Sequence, residues 1–132
     1  MKFQLLVLLT TVSIGINSCQ GQKAEEEVLL APKAFQAKIA DVKGRLLDVR
    51  TPDEYKSGHL EGSENINFFD EDFQERIKAL PKDETYFVYC RSGGRSGKAC
   101  AMMEEAGFKN VYDMAGGILA WEKEALPLQK DE

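Results

Sequence analysis

Histidine is almost missing from this 132-residue chain: His59 is the single one, beside three cysteines and one tryptophan. With so few ligands and no CxxC or HExxH spacing, a metal site built by the protein is not expected. Acid–base chemistry resting on histidine has only His59 to use. It follows Gly58 in a turn and reads as holding that turn together rather than as a base. Long apolar runs are missing too. The longest, Phe3 to Ile16, is broken by Gln4, Thr10, Thr11, Ser13 and Gly15 and is too short to span a bilayer. There is no basic cluster: the formal charge is −5, and loss of Lys2 with a leader leaves 16 basic against 22 acidic residues. That balance argues against nucleic acid as a partner. Repeats and low-complexity segments are absent, and 43% hydrophobic residues suffice for one core in one domain.

What is present begins with the leader. Lys2, the apolar centre and a small-residue exit read as a secretory signal over residues 1–18. Ile16-Asn17-Ser18-Cys19 resembles the lipobox of bacterial lipoproteins. The resemblance implies an acylated Cys19 and a chain anchored by lipid in the bacterial cell envelope, periplasmic or surface-exposed. Ordinary cleavage near Ser18, leaving a free thiol, stays open. Residues 19–27 are polar and aperiodic and read as a tether, with Glu25-Glu26-Glu27 a solvated spacer rather than an export tag. Residues 28–132 are left for the domain.

Within it, strand-like and helix-like segments alternate. Strands are predicted at Val28 to Leu30, Arg45 to Val49, Ser63 to Ile66, Thr85 to Tyr89 and Asn110 to Asp113. Helices are predicted at Pro32 to Ala40, Pro52 to Ser57, Asp70 to Leu80, Ser96 to Ala106 and Gly117 to Leu126. This alternation predicts an α/β fold: a central, mostly parallel five-stranded sheet with helices on both faces, binding ligands at the carboxyl ends of its strands.

The stretch Tyr86-Phe87-Val88-Tyr89-Cys90-Arg91-Ser92-Gly93-Gly94-Arg95-Ser96 puts a thiol where a buried strand becomes a helix. Loop N–H groups converging at a helix N-terminus favour an anion, as do Arg91 and Arg95. A thiolate is such an anion and the reactive form of cysteine, so these surroundings can activate Cys90 without a histidine. The loop resembles the active-site loop of the rhodanese family, in which a cysteine carries a sulfane sulfur as a persulfide. Two further segments are similar to that family: Leu46 to Tyr55 with Gly58 to Ile66, where Glu61 replaces the usual proline, and Met114 to Trp121 with its glycine pair. The resemblance runs from about Val28 to Leu128 and implies a rhodanese-like fold.

It also implies sulfur transfer without a cofactor, from a small donor such as thiosulfate or a persulfide to a thiol or cyanide, with a thioredoxin-like protein as one conceivable acceptor. Two other functions stay open. One is a rhodanese-fold sulfur-carrier or binding module with little turnover; the other is a Cdc25-type phosphatase or arsenate reductase. Only Arg91, Ser92, Gly93 and Gly94 separate Cys90 from Arg95, against five residues in the phosphatase loops. The smaller ring suits a sulfur atom better than a tetrahedral phosphate.

Cys90 is thus the expected nucleophile, and Arg91, Ser92, Gly93, Gly94, Arg95 and Ser96 the expected substrate-binding loop. Of the two arginines only one is expected to face substrate, Arg95 by preference, while Ser92 and Ser96 read as loop and cap residues. Asp48 and Arg50, ending another strand, are expected on the same edge in support. Asp48 either orients an arginine, satisfies loop N–H groups or forms a turn. Arg50 and Glu54 are spaced to pair with each other. Cys100 reads as a core residue rather than a resolving thiol. Gly116, Gly117 and Trp121 read as turn and packing residues. Tyr55, Phe68, Phe69 and Met114 are candidates for either the pocket mouth or the core.

Overall fold

Apolar runs punctuated by caps and turns set the order of elements, and the computed structural model describes them over residues 26–131. They are β1 (Leu29–Leu30), α1 (Pro32–Asp41), β2 (Arg45–Asp48), α2 (Pro52–Ser57), β3 (Ser63–Asn65), α3 (Phe73–Lys78), β4 (Thr85–Tyr89), α4 (Gly94–Glu105), β5 (Asn110–Met114) and α5 (Gly117–Lys123). The five strands form one sheet in the order β1-β5-β4-β2-β3, and every pair is parallel. Leader, lipobox and the start of the tether lie outside the described residues.

Strand β4 is central and carries Tyr86, Phe87, Val88 and Tyr89, all buried. A parallel strand covered on both faces demands such an unbroken apolar run. Tyr86 and Val88 join Leu47, Ile77, Ala99 and Met103 under α3 and α4. Phe87 and Tyr89 join Phe35, Ile118 and Trp121 under α1 and α5. Each large apolar side chain so enclosed contributes on the order of 2–3 kcal/mol of transfer free energy.

The register fixes where chemistry can sit. Asp48 pairs with Tyr89, and the Val49 N–H donates to the Tyr89 carbonyl at 3.1 Å. The chain therefore leaves β2 and β4 side by side, bringing Asp48, Arg50 and Cys90 to one carboxyl edge.

Element types follow the sequence, while several ends differ. Helix α3 starts at Phe73 rather than Asp70. Asn67 holds the preceding residues in a turn, donating to Asp70 Oδ1 at 2.9 Å and accepting from the Phe69 N–H at 3.1 Å. Helix α4 starts at Gly94, so Ser96 lies in its first turn.

The Tyr89 hydroxyl is a polar group inside this apolar layer. It accepts from the Leu60 N–H at 3.1 Å and lies 3.3 Å from Ser63 Oγ. Tyr89→Phe leaves that buried N–H without its partner and is expected to cost about 1–2 kcal/mol. The measurement is urea unfolding, with the midpoint falling at unchanged slope.

Candidate active site

Cys90 is the first residue past β4, and its side chain turns inward, 1% exposed. Three residues later the backbone of Gly93, at φ 109°, enters a region that side chains other than glycine's resist. That bend turns the Gly93 N–H back onto the Cys90 sulfur at 3.1 Å. Burial alone pushes the thiol up. The Ser96 hydroxyl and the N–H groups of Ser96, Gly93 and Ser92 outweigh it and hold Cys90 below the ordinary thiol range.

The other side of the loop is held by α5. Ile118 N–H donates to the Cys90 carbonyl at 2.9 Å and Leu119 N–H to the Arg91 carbonyl at 3.1 Å. Gly117, at φ 61°, comes so close that a Cβ there would lie 2.4 Å from the Arg91 oxygen. Turn and packing roles, which the sequence suggests for Gly116 and Gly117, are therefore only part of their work. The position of Gly117 lets the first N–H groups of α5 satisfy the loop's carbonyls, which the loop's tight curvature leaves without partners of their own.

Asp48 and Arg50 meet as expected at this edge, and Asp48 orients the arginine. Arg50 Nη2 donates to Asp48 Oδ2 at 2.6 Å and Nε to Oδ1 at 3.0 Å, while the Arg50 N–H reaches Oδ1 at 2.9 Å. A further bond from Nη2 to the Gly58 carbonyl, 2.7 Å, ties the end of β2 to the end of α2. Both side chains are buried, and removing one partner of such a pair costs about 3–5 kcal/mol.

The expected Arg50–Glu54 pair does not form. The four-residue spacing rule holds only inside a helix, and Arg50 lies before the cap Thr51. Glu54 instead folds back in a capping box, accepting from the Thr51 N–H at 2.9 Å, and its carboxylate takes Arg95 Nη1 and Nη2 at 2.7 and 2.9 Å. Arg95 is thus the loop arginine with a fixed position. It lies half-buried, 5.5 Å from the Phe69 ring and near enough to Cys90 to feel a charge on the sulfur. Arg91 and Ser92 are exposed.

The remaining candidates separate by burial. Met114 is in the core layer under α1 and α5 and Phe68 packs against the layer under α3 and α4, whereas Phe69 stands 67% exposed near Arg95. Tyr55 stacks on His59 at 3.8 Å, and His59 Nδ1 lies 2.9 Å from the Tyr55 carbonyl, so the histidine holds its turn away from the sulfur. Cys100 is buried on α4 among core residues, its thiol pushed up by desolvation. Glu54 is the site residue that the sequence pattern assigns to the wrong partner. Its signal is the Thr51-Pro52-Asp53-Glu54 capping box, which aims a carboxylate back toward the sheet edge.

Comparison with known proteins agrees with this geometry. A family model described as a rhodanese-like domain matches residues 31–124. A protein of Allochromatium vinosum named sulfurtransferase is 34% identical over 101 residues, covering 76% of this chain and 92% of that one. Thiosulfate sulfurtransferase 16 of Arabidopsis thaliana is 39% identical over 93 residues, covering 63% of this chain and 78% of that one. A crystal structure of a rhodanese-related protein from Thermoplasma volcanium superposes with a TM-score of 0.70 at 30% identity, covering 80% of this chain and all of the other.

The Arg95 hydrogen bonds hold the Glu54 carboxyl down at about 2, with burial opposing and Thr51 assisting. A depressed folded value contributes stability above the unfolded value near 4.5 and loses it as pH falls toward 2. After discounting for partial exposure, Glu54→Gln is expected to cost about 1–2 kcal/mol at pH 7, with the difference vanishing by about pH 2. Chemical denaturation of both proteins across that range checks the sign.

Proposed function

The chain belongs to the rhodanese-like domain family, and from that premise we propose that it is a sulfurtransferase working through a persulfide on Cys90. The observation that carries the reading is the Cys90 sulfur itself, met by the Gly93 N–H at 3.1 Å and held below the ordinary thiol range by loop donors, in a ring with four residues between Cys90 and Arg95. The thiolate attacks the outer sulfur of a donor such as thiosulfate. The donor's S–S bond breaks, sulfite leaves with the electron pair, and Cys90 keeps the transferred sulfur as a persulfide anion. The same N–H groups then stabilise the persulfide, in the manner of an oxyanion hole.

An acceptor thiolate, or cyanide in an assay, attacks the terminal sulfur and releases the Cys90 thiolate. The cycle balances without a cofactor. Arg95, fixed by Glu54 beside the sulfur, is the side chain best placed to attract an anionic donor, and exposed Arg91 adds charge at the rim. A small thiol, or an envelope protein of thioredoxin type, is the acceptor chemistry this cycle calls for. Asp48 and Arg50 support the site from behind by fixing the end of β2.

The test is thiosulfate:cyanide turnover together with intact mass after thiosulfate treatment. Thiocyanate and a mass gain of one sulfur are expected, both lost in Cys90→Ser. Turnover of p-nitrophenyl phosphate in place of thiosulfate would transfer the loop to oxyanion chemistry, and a persulfide that no acceptor removes would make the domain a carrier.

The lipobox-like segment supports an envelope membrane as the place of this chemistry, with Cys19 acylated and residues 20–27 as the tether. Growth of cells making the full-length chain with a radioactive fatty acid is expected to label wild type and not Cys19→Ser. An unlabelled wild type refutes the anchor.

A further inference from the structure

Of the large apolar side chains left exposed among the described residues, Phe69 is the most exposed, at 67%. Single apolar side chains scattered over a surface need no explanation. This one is held in a fixed pose. Asn67 fixes its backbone, accepting from the Phe69 N–H at 3.1 Å and donating to Asp70 Oδ1 at 2.9 Å, while the Asp70 N–H returns to the Asn67 carbonyl at 3.1 Å. The Phe69 ring meets Phe68 edge-on at 5.7 Å, and Phe68 leans on the buried ring of Phe73 at 5.1 Å. Edge-to-face contacts of this kind orient a ring.

The ring stands at the nucleophile loop. The Phe68 N–H donates to the Val49 carbonyl at 3.1 Å and the Val49 N–H to the Tyr89 carbonyl, also at 3.1 Å, so the Asn67 turn lies along the strand ends that deliver Cys90. The Arg95 guanidinium carbon lies 5.5 Å from the centre of the Phe69 ring. Both terminal nitrogens of Arg95 are held by Glu54, at 2.7 and 2.9 Å, so the guanidinium cannot leave the ring without breaking that pair. Most of the ring surface is still in water. A fixed cation beside a fixed, wetted aromatic surface complements a molecule with an anionic end next to an apolar one. Inorganic thiosulfate has the anionic end alone.

We propose that Phe69 is a specificity-determining residue, selecting sulfur donors that carry an apolar group R beside the anionic sulfur, of the thiosulfonate class R–SO2–S⁻. Arg95 takes the anionic end and the Phe69 ring covers R, so that both apolar surfaces leave water.

The step balances as it does for thiosulfate. The Cys90 thiolate attacks the terminal sulfur, the donor's S–S bond breaks, the sulfinate R–SO2⁻ leaves with the electron pair, and Cys90 keeps the sulfur as a persulfide anion. Thiolate and donor bring one negative charge each; persulfide and sulfinate carry them away. The inference rests on the sulfurtransferase reading and names the donor class within it.

The experiment compares benzenethiosulfonate with methanethiosulfonate on the full chain, reading the rate at which the protein gains one sulfur by intact mass, with Cys90→Ser as the blank. The two donors carry the same charge and each releases a sulfinate, and their different intrinsic reactivities cancel when wild type and variant are compared donor by donor. Phe69→Ala is expected to slow the benzene donor about tenfold while leaving the methane donor nearly unchanged. Phe69→Trp, which keeps an aromatic surface, is expected to keep the benzene donor fast. Equal slowing of both donors in Phe69→Ala overturns the proposal, since it would reduce Phe69 to a prop for Arg95. No slowing of either overturns it as well, and so does a Phe69→Trp protein that behaves like Phe69→Ala. In all three cases Cys90 still gains sulfur and the sulfurtransferase reading stands; a wild type that takes sulfur from neither donor nor from thiosulfate overturns both.

Discussion

The direction in which the peptide groups after Cys90 face is the constraint on which this site depends. A loop this tight cannot pair its own N–H and C=O groups, so each set must find partners on opposite sides. The carbonyls of Cys90 and Arg91 are taken by the Ile118 and Leu119 N–H groups of α5, and the Gly93 N–H is left to the sulfur. A buried thiol would otherwise become harder to ionise, since desolvation is the largest single influence on Cys90. The backbone donors reverse that outcome together with Ser96, without help from a histidine. Their partial charges are fixed in place and need no reorganisation when the sulfur becomes an anion.

Charged side chains at the same edge sort by local geometry rather than by proximity in sequence. Asp48, Arg50, Glu54 and Arg95 permit several pairings. The two that form are Asp48 with Arg50 and Glu54 with Arg95. Thr51 decides between them. As the cap of α2 it turns the Glu54 carboxylate back through the Thr51 N–H, and from there the carboxylate reaches across to α4. Arg50, in extended backbone ahead of the cap, meets the aspartate two residues earlier on β2. The first pair fixes the strand end; the second fixes a loop arginine beside the sulfur. The sheet edge is thereby rigid on both flanks of Cys90 before any substrate arrives.

Much of this is legible in the chain. Unbroken apolar character in Tyr86 to Tyr89 marks a central parallel strand, and glycines just after a cysteine mark the loop. These signals are local, and local signals determine element type. What requires the structure is long-range. No pattern within α2 tells Glu54 that Arg95 lies beside it, 41 residues away. Nor does the glycine pair at Gly116 and Gly117 announce that it approaches Arg91, a contact made only because β5 lies next to β4. The start of α3 moves for the opposite reason. There a side-chain turn at Asn67 competes locally with the helix and delays it.

The parallel sheet also explains how so small a domain can bury a thiol and still hold it below the ordinary thiol range. Parallel strands end together at one edge, so the loops after the buried strands β2 and β4 start from a fixed platform. Cys90 inherits the fixed position of Tyr89, and Asp48 inherits it through the register of β2. A site whose anchors are strand ends loses little conformational entropy when substrate binds, because that entropy was lost on folding. Cys90 gains in particular, because the Gly93 N–H that meets its sulfur is fixed by the loop's own backbone and no side chain has to move to supply it.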